Sequence, residues 1–172
     1  MSVRMIAVMA VCIAVVTALV QVVLSPTPIG GYIHPGAVAE VFVAIAFGPI
    51  VGMVAAGVGA AISDLILGFG SFAPLTLIAH GALGFLAGWL GWKKGWFGPV
   101  TGWIVGGLAL VAVYLIGEAT VYQLGLAYAL QEVPWNLVQV SLGIFGLLLF
   151  QLVKRAYPQI EGLASGPKFE EV

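Results

Sequence analysis

Charge is scarce in this chain. Only 8% of its 172 residues are Asp, Glu, Lys or Arg, against 62% hydrophobic residues, and the mean hydropathy is +1.14. A soluble domain carries roughly 25% charged residues, so this composition cannot cover a water-facing surface and predicts an integral membrane protein. Cysteine is scarcer still. Cys12 stands alone inside the first apolar run, which excludes a disulfide framework and a CxxC metal site and reads as a small buried hydrophobe. A formal net charge of −1 gives no hint of nucleic-acid binding. The HExxH, GxSxG and Walker A signatures are missing, and the two histidines and scattered acids lack the usual ligand spacing. No metal or cofactor is implied.

What the chain has is apolar length. At about 20 residues per spanning helix, six crossings nearly use it up and leave no room for a soluble catalytic or nucleotide-binding domain. Runs at 5–24, 36–47, 50–67, 73–92, 100–118 and 134–153 predict an all-α integral membrane fold. It is a single six-helix transmembrane bundle over 1–153, followed by a short polar cytoplasmic tail over 154–172. The first run is too long for the core of a signal peptide and reads as a retained span. The second is short, which calls for tilt, an earlier start or shielding by neighbours. Gly48-Pro49 marks a tight turn, and 25–35 is a turn-rich loop whose Pro and Gly give it a shaped path. Trp89, Trp92 and Trp96 bracket Lys93-Lys94, as expected where amphipathic rings meet headgroups.

The few charges are sorted. Arg4, Lys93, Lys94, Lys154, Arg155 and Lys168 all fall on one side of this topology, while Glu40, Asp64, Glu118 and Glu132 lie toward the other. Positive charge in short loops stays in the cytoplasm, so both termini are expected inside. Small residues are sorted too. Ala10, Ala14 and Ala18 share one face of the first span, where another backbone can approach closely. Gly48/Gly52, Ala56/Ala60 and Gly84/Gly88 repeat that spacing in and around spans three and four, where packing inside the bundle accounts for it.

The candidate binding site lies in the outer half. Tyr32 and His34 are in the first outer loop, Glu40 is one turn into span two, Asp64 is near the end of span three and His80 is two turns into span four. Tyr114, Glu118 and Tyr122 recur at i, i+4 and i+8 and so share a helical face. Glu132, Asn136 and Gln139 do the same in span six, with Gly143 leaving space below. Glu40 is the hardest to read as structural: a carboxylate in an apolar span must be paired, protonated or facing a wet cavity, and no Lys or Arg shares its depth. An apolar lining with a few convergent polar groups suits a small molecule. With no Lys or Arg nearby, a neutral or weakly cationic heteroaromatic fits better than a phosphate ester.

These residues also carry a resemblance. The run from His34-Pro35-Gly36 through Glu40, the Ala46-to-Gly52 and Gly57-to-Gly68 stretches, Ala73 through His80 to Gly88, and the Pro134-to-Gln139 segment resemble the substrate-binding (S) subunits of energy-coupling-factor (ECF) vitamin transporters. The branch is the one with riboflavin-, pyridoxine- or hydroxymethylpyrimidine-like substrates. The resemblance implies a non-enzymatic subunit that captures a vitamin or precursor outside. It implies that Ala10, Ala14 and Ala18 dock on a transmembrane (T) subunit and that two separate ATPase subunits drive release inside. One departure concerns specificity: His80-Gly81 stands where this branch has a Lys-Gly pair. The competing readings are a membrane scaffold of the same fold without a ligand, and a small intramembrane enzyme using Glu40, Asp64 or His80, which the missing motifs disfavour.

Overall fold

The computed structural model describes residues 3–22, 24–27 and 30–164, and Lys168 lies outside them. It is all-helical apart from one short strand pair. In chain order the elements are α1 (Val3–Val22), β1 (Ser25–Pro26), β2 (Tyr32–Ile33), α2 (Gly36–Phe47), α3 (Pro49–Leu67), α4 (Ala73–Gly91), α5 (Phe97–Ile116) with a π-helical turn at Gly117–Val121, α6 (Leu126–Ser141), α7 (Gly143–Ala156) and a 3-10 turn at Pro158–Gly162. Among the described residues, five helical stretches are long and apolar enough to cross a membrane: α1, α3, α4, Phe97–Val121 and the joined α6–α7 at Leu126–Ala156.

The short second span is resolved by shielding. Nine of the twelve residues of α2 are buried, as expected of a helix that is apolar on every side, and it is packed by α1, α3, α4 and α7. It does not start earlier, because the preceding loop is a hairpin in which Ser25 pairs with Ile33 and Pro26 with Tyr32. Gly48, at φ +93°, makes the turn into α3, and its Cα faces the Trp92 ring.

Small residues set the helix spacing. A Cβ on Gly84 would fall on the Gly52 carbonyl, and one on Gly88 would fall on Gly48 and Pro49, so α3 and α4 touch backbone to backbone. Gly102 and Gly106 meet the Ala87 and Leu83 carbonyls in the same way, bringing α5 onto α4. Helix α1 packs on α3 through Val16 against Gly59, and Thr17 Oγ1 donates to the Gly59 carbonyl at 3.1 Å. Its buried residues are Met9, Cys12, Val16 and Val20. Ala10, Ala14 and Ala18 are all exposed on the other side.

Two boundaries differ from the sequence reading. The last span begins at Leu126 rather than at Pro134, which sits inside α6. Proline favours a first helical turn, but 126–133 is rich in good helix formers, and the lost N–H removes only one rung. Gly143 does not leave space: a Cβ there would strike Trp103 and Val41. The Trp103 indole N–H donates to the Val140 carbonyl at 2.8 Å.

Candidate functional site

Contacts between loops define the two ends of the bundle. At one end Lys154 Nζ lies 2.9 Å from Glu161 Oε2, and the Lys93 backbone N–H donates to Glu161 Oε1 at 3.3 Å. This joins the α4–α5 link to the end of α7. At the other end a cavity holding about 580 Å³, its mouth included, opens among the β-hairpin, α3, α4, α5 and α6. It is lined by Tyr32, His34, Asp64, Tyr114, Glu118, Asn136 and Gln139 of the sequence-predicted set.

The hairpin is pinned over this cavity from two sides. Tyr32 Oη donates to Asp64 Oδ1 at 2.5 Å, and its ring sits 4.8 Å from that of Phe69. Burial first, and then the Asp64 carboxylate, raise the Tyr32 phenol above its ordinary pKa, so it stays protonated as the donor. The His34 backbone N–H donates to Gln139 Oε1 at 3.3 Å, tying the loop to α6. The His34 ring accepts the Gly36 N–H on Nδ1 at 3.1 Å. Burial, with a smaller push from His80, lowers its pKa to about 3. The ring is therefore neutral, with its proton on Nε2.

Glu40 and His80 do not line the cavity; they sit beneath it. Glu40 Oε2 lies 2.9 Å from His80 Nδ1, and the two side chains are 0% and 1% exposed. The imidazole supplies the partner that no Lys or Arg could, and it stacks under His34 with ring centroids 5.7 Å apart. Glu40 thus supports the floor of the site through His80 and His34.

Tyr122 is also off the wall. The π turn inserts one residue into the helical register, seen in the Tyr122 N–H bonding the Gly117 carbonyl at 2.9 Å. The i+4 position after Glu118 is thereby rotated away from its face. Tyr122 instead stacks on Phe72 at 5.1 Å and donates to the Ser71 carbonyl at 2.6 Å, closing the side of the site between α4 and the end of α5. Tyr114 and Glu118 remain inside, Tyr114 sharing a 2.9 Å hydrogen bond with Thr76.

Glu132, grouped with Asn136 and Gln139 from the sequence, lines the wall as well, and Gly30, Gly31, Phe69, Phe72, Thr76 and Tyr128, which the sequence did not single out, complete it. Thr76 stands one turn before His80, a spacing that could have marked it. Phe69 and Phe72 lie in the short α3–α4 link, which no periodicity singles out. At Gly31 the hairpin passes close to α6, since a Cβ there would sit 2.9 Å from Glu132 Oε1.

Aromatic walls, convergent acceptors and a pinned loop thus surround a cavity at one end of a bundle of helices apolar enough to span a membrane. The fold has a solved counterpart: a structure described as "Structure and mechanism of the S component of a bacterial ECF transporter" superposes with a TM-score of 0.72 at 15% identity, over 89% of this chain and 96% of that one. A protein of Pyrococcus woesei described as "Uncharacterized protein in gap 3'region" is 35% identical over 153 residues, covering 87% of this chain and 99% of its own length. The family model "ECF-type riboflavin transporter, S component" matches residues 1–155. The chain is an ECF transporter S component, and it belongs to the riboflavin transporter S component family.

Proposed function

We propose that this chain is the substrate-capture subunit of an ECF-type importer in the plasma membrane of a prokaryote, with both termini in the cytoplasm. It takes a heteroaromatic vitamin or vitamin precursor from the outer face, and works with a transmembrane T subunit and two ATPase subunits. The observation that carries this reading is the cavity pinned beneath the Tyr32–Asp64 bond, with Tyr114, Glu118, Asn136 and Gln139 converging on it. The exposed Ala10, Ala14 and Ala18 supply a smooth face on the outermost helix, suited to close helix contact within a membrane. The loaded subunit topples in the membrane on docking, and ATP hydrolysis by its partners releases the substrate inside.

The test separates binding from coupling. The purified chain should bind one member of a panel of vitamins and precursors saturably, and cells expressing it with a coupling module should take that compound up. Ala14→Trp should abolish uptake with binding intact. Lost binding in that variant would remove the docking face from this account. Saturable binding to nothing in the panel would favour a membrane scaffold of the same fold.

A further inference from the structure

The cavity wall carries buried carboxyl oxygens that its own side chains do not satisfy. Asp64 is 3% exposed and Glu118 4%, yet Asp64 Oδ2 and Glu118 Oε2 are buried atoms without a hydrogen-bond partner. Both residues line the same cavity, reached from α3 on one side and from the π turn after α5 on the other. Two hydroxyls on the wall that could have used these oxygens are engaged elsewhere. Tyr32 donates to the other oxygen of Asp64, and the Tyr114 hydroxyl is paired with Thr76. Glu132 adds a third carboxylate to the lining. Among the described residues no Lys or Arg lines the cavity.

A buried carboxylate oxygen without a partner is costly unless something with donor protons comes to it. Here the complement is missing from the protein and the space beside the oxygens is open. The other walls suit the same guest. Tyr32, Phe69, Phe72, Tyr114 and Tyr128 turn aromatic surface to the cavity, and the face of such a ring attracts a cation.

We propose that this site recognises a positively charged nitrogen, an ammonium or a protonated ring carried by a small heteroaromatic, seated between Asp64 and Glu118. This rests on the proposed capture function and narrows its substrate class. It sets the chain apart from a site for the uncharged flavin that the family description names. An anionic ligand would be repelled by both carboxyl groups and an uncharged one could only donate hydrogen bonds to them, whereas a cationic nitrogen adds ionic attraction to each bond.

Matched probes that differ only in charge test this at pH 7. One pair is pyridoxamine and pyridoxine. A second is the 5-aminomethyl and 5-hydroxymethyl forms of 4-amino-2-methylpyrimidine, and riboflavin serves as the uncharged tricyclic probe. Hydrogen bonds to charged groups are worth about tenfold or more in affinity. The amine member of at least one pair should therefore bind at least about tenfold tighter than its hydroxyl partner and tighter than riboflavin. That preference should collapse in Asp64→Asn or Glu118→Gln. Riboflavin or a hydroxyl member binding as tightly as the amines overturns the inference and leaves the capture function standing, as does a preference that survives both variants. Binding of none of the five probes overturns the inference and leaves the capture function to be decided by the wider panel. The wild-type comparison decides even where a variant fails to fold.

Discussion

Removing Glu40 alone would strand the His80 imidazole in a site where nothing else can serve it. Breaking a buried pair in this way costs about 3–5 kcal/mol, whereas replacing both partners with apolar residues of similar size is often close to neutral. Glu40→Ala should therefore lower the unfolding free energy of the detergent-solubilised protein by about that amount, and Glu40→Met with His80→Met should recover most of it. Equal losses in the single and double variants would show that the pair is not what the two side chains contribute. His34, one layer above, gives a pH prediction. Its folded pKa, near 3, lies below the roughly 6.5 of an unfolded histidine, so between those values the unfolded chain binds the extra proton and acid favours unfolding. Its neutral-state stabilisation is complete above about pH 6.5 and is lost progressively toward pH 3. Thermal scans should show a steeper fall below pH 6 in wild type than in His34→Gln; parallel curves would assign the acid sensitivity to other groups. Much of this site is legible residue by residue, because a carboxylate such as Glu40 in an apolar run has to be explained. What is not legible is the layer each group occupies. Sequence depth puts Glu40 and Asp64 on one acidic side, whereas geometry gives Glu40 to the floor and Asp64 to the latch.

Among the elements, the glycine and alanine seams decide how closely the helices approach. The Gly84 Cα rests on the Gly52 carbonyl with no room for a methyl group, and both lie on backbone that cannot move aside as a side chain would. Gly84→Leu should force α3 and α4 apart, costing more than the 1–3 kcal/mol typical of an overpacked core. Gly95→Leu, where a Cβ meets nothing within 4 Å, should cost little. Comparable melting temperatures for the two variants would contradict this packing. These seams, and five of the span starts to within a few residues, follow from periodicity and turn residues. The last span's start does not, because Pro134 reads as a beginning while the helix formers before it carry the helix eight residues further out. At about 1.5 Å per residue the 31 residues of Leu126–Ala156 reach about 46 Å. This exceeds the roughly 30 Å of hydrocarbon, so the added turns hold Tyr128 and Glu132 at the cavity mouth. The π turn is likewise invisible to a reading in steps of four, and it separates Tyr122 from Tyr114 and Glu118.

For the molecule as a whole, the proposed capture from outside requires one orientation in the membrane. The end that carries Lys93, Lys94, Lys154 and Arg155 is tied together through Glu161, while the hairpin, the cavity and the Tyr122–Ser71 bond mark the opposite end. An exposed ion pair such as Lys154–Glu161 contributes little to stability. In the proposed orientation the basic cluster therefore matters chiefly as a retention signal, since Lys and Arg in short loops favour the cytoplasmic side. If the cavity faces outward, residues flanking it are reachable from outside intact cells and residues near the lysines are not. The lone native cysteine, Cys12, is buried and gives a low background for thiol labelling. Gln131 and Gly95 are both exposed and sit at opposite ends of the chain's helical hairpins. A membrane-impermeant maleimide added to intact cells should label Gln131→Cys and spare Gly95→Cys, with Gly95→Cys becoming reactive once the membrane is opened. The reverse pattern would turn the cavity toward the cytoplasm, and a subunit facing that way could not serve capture from outside.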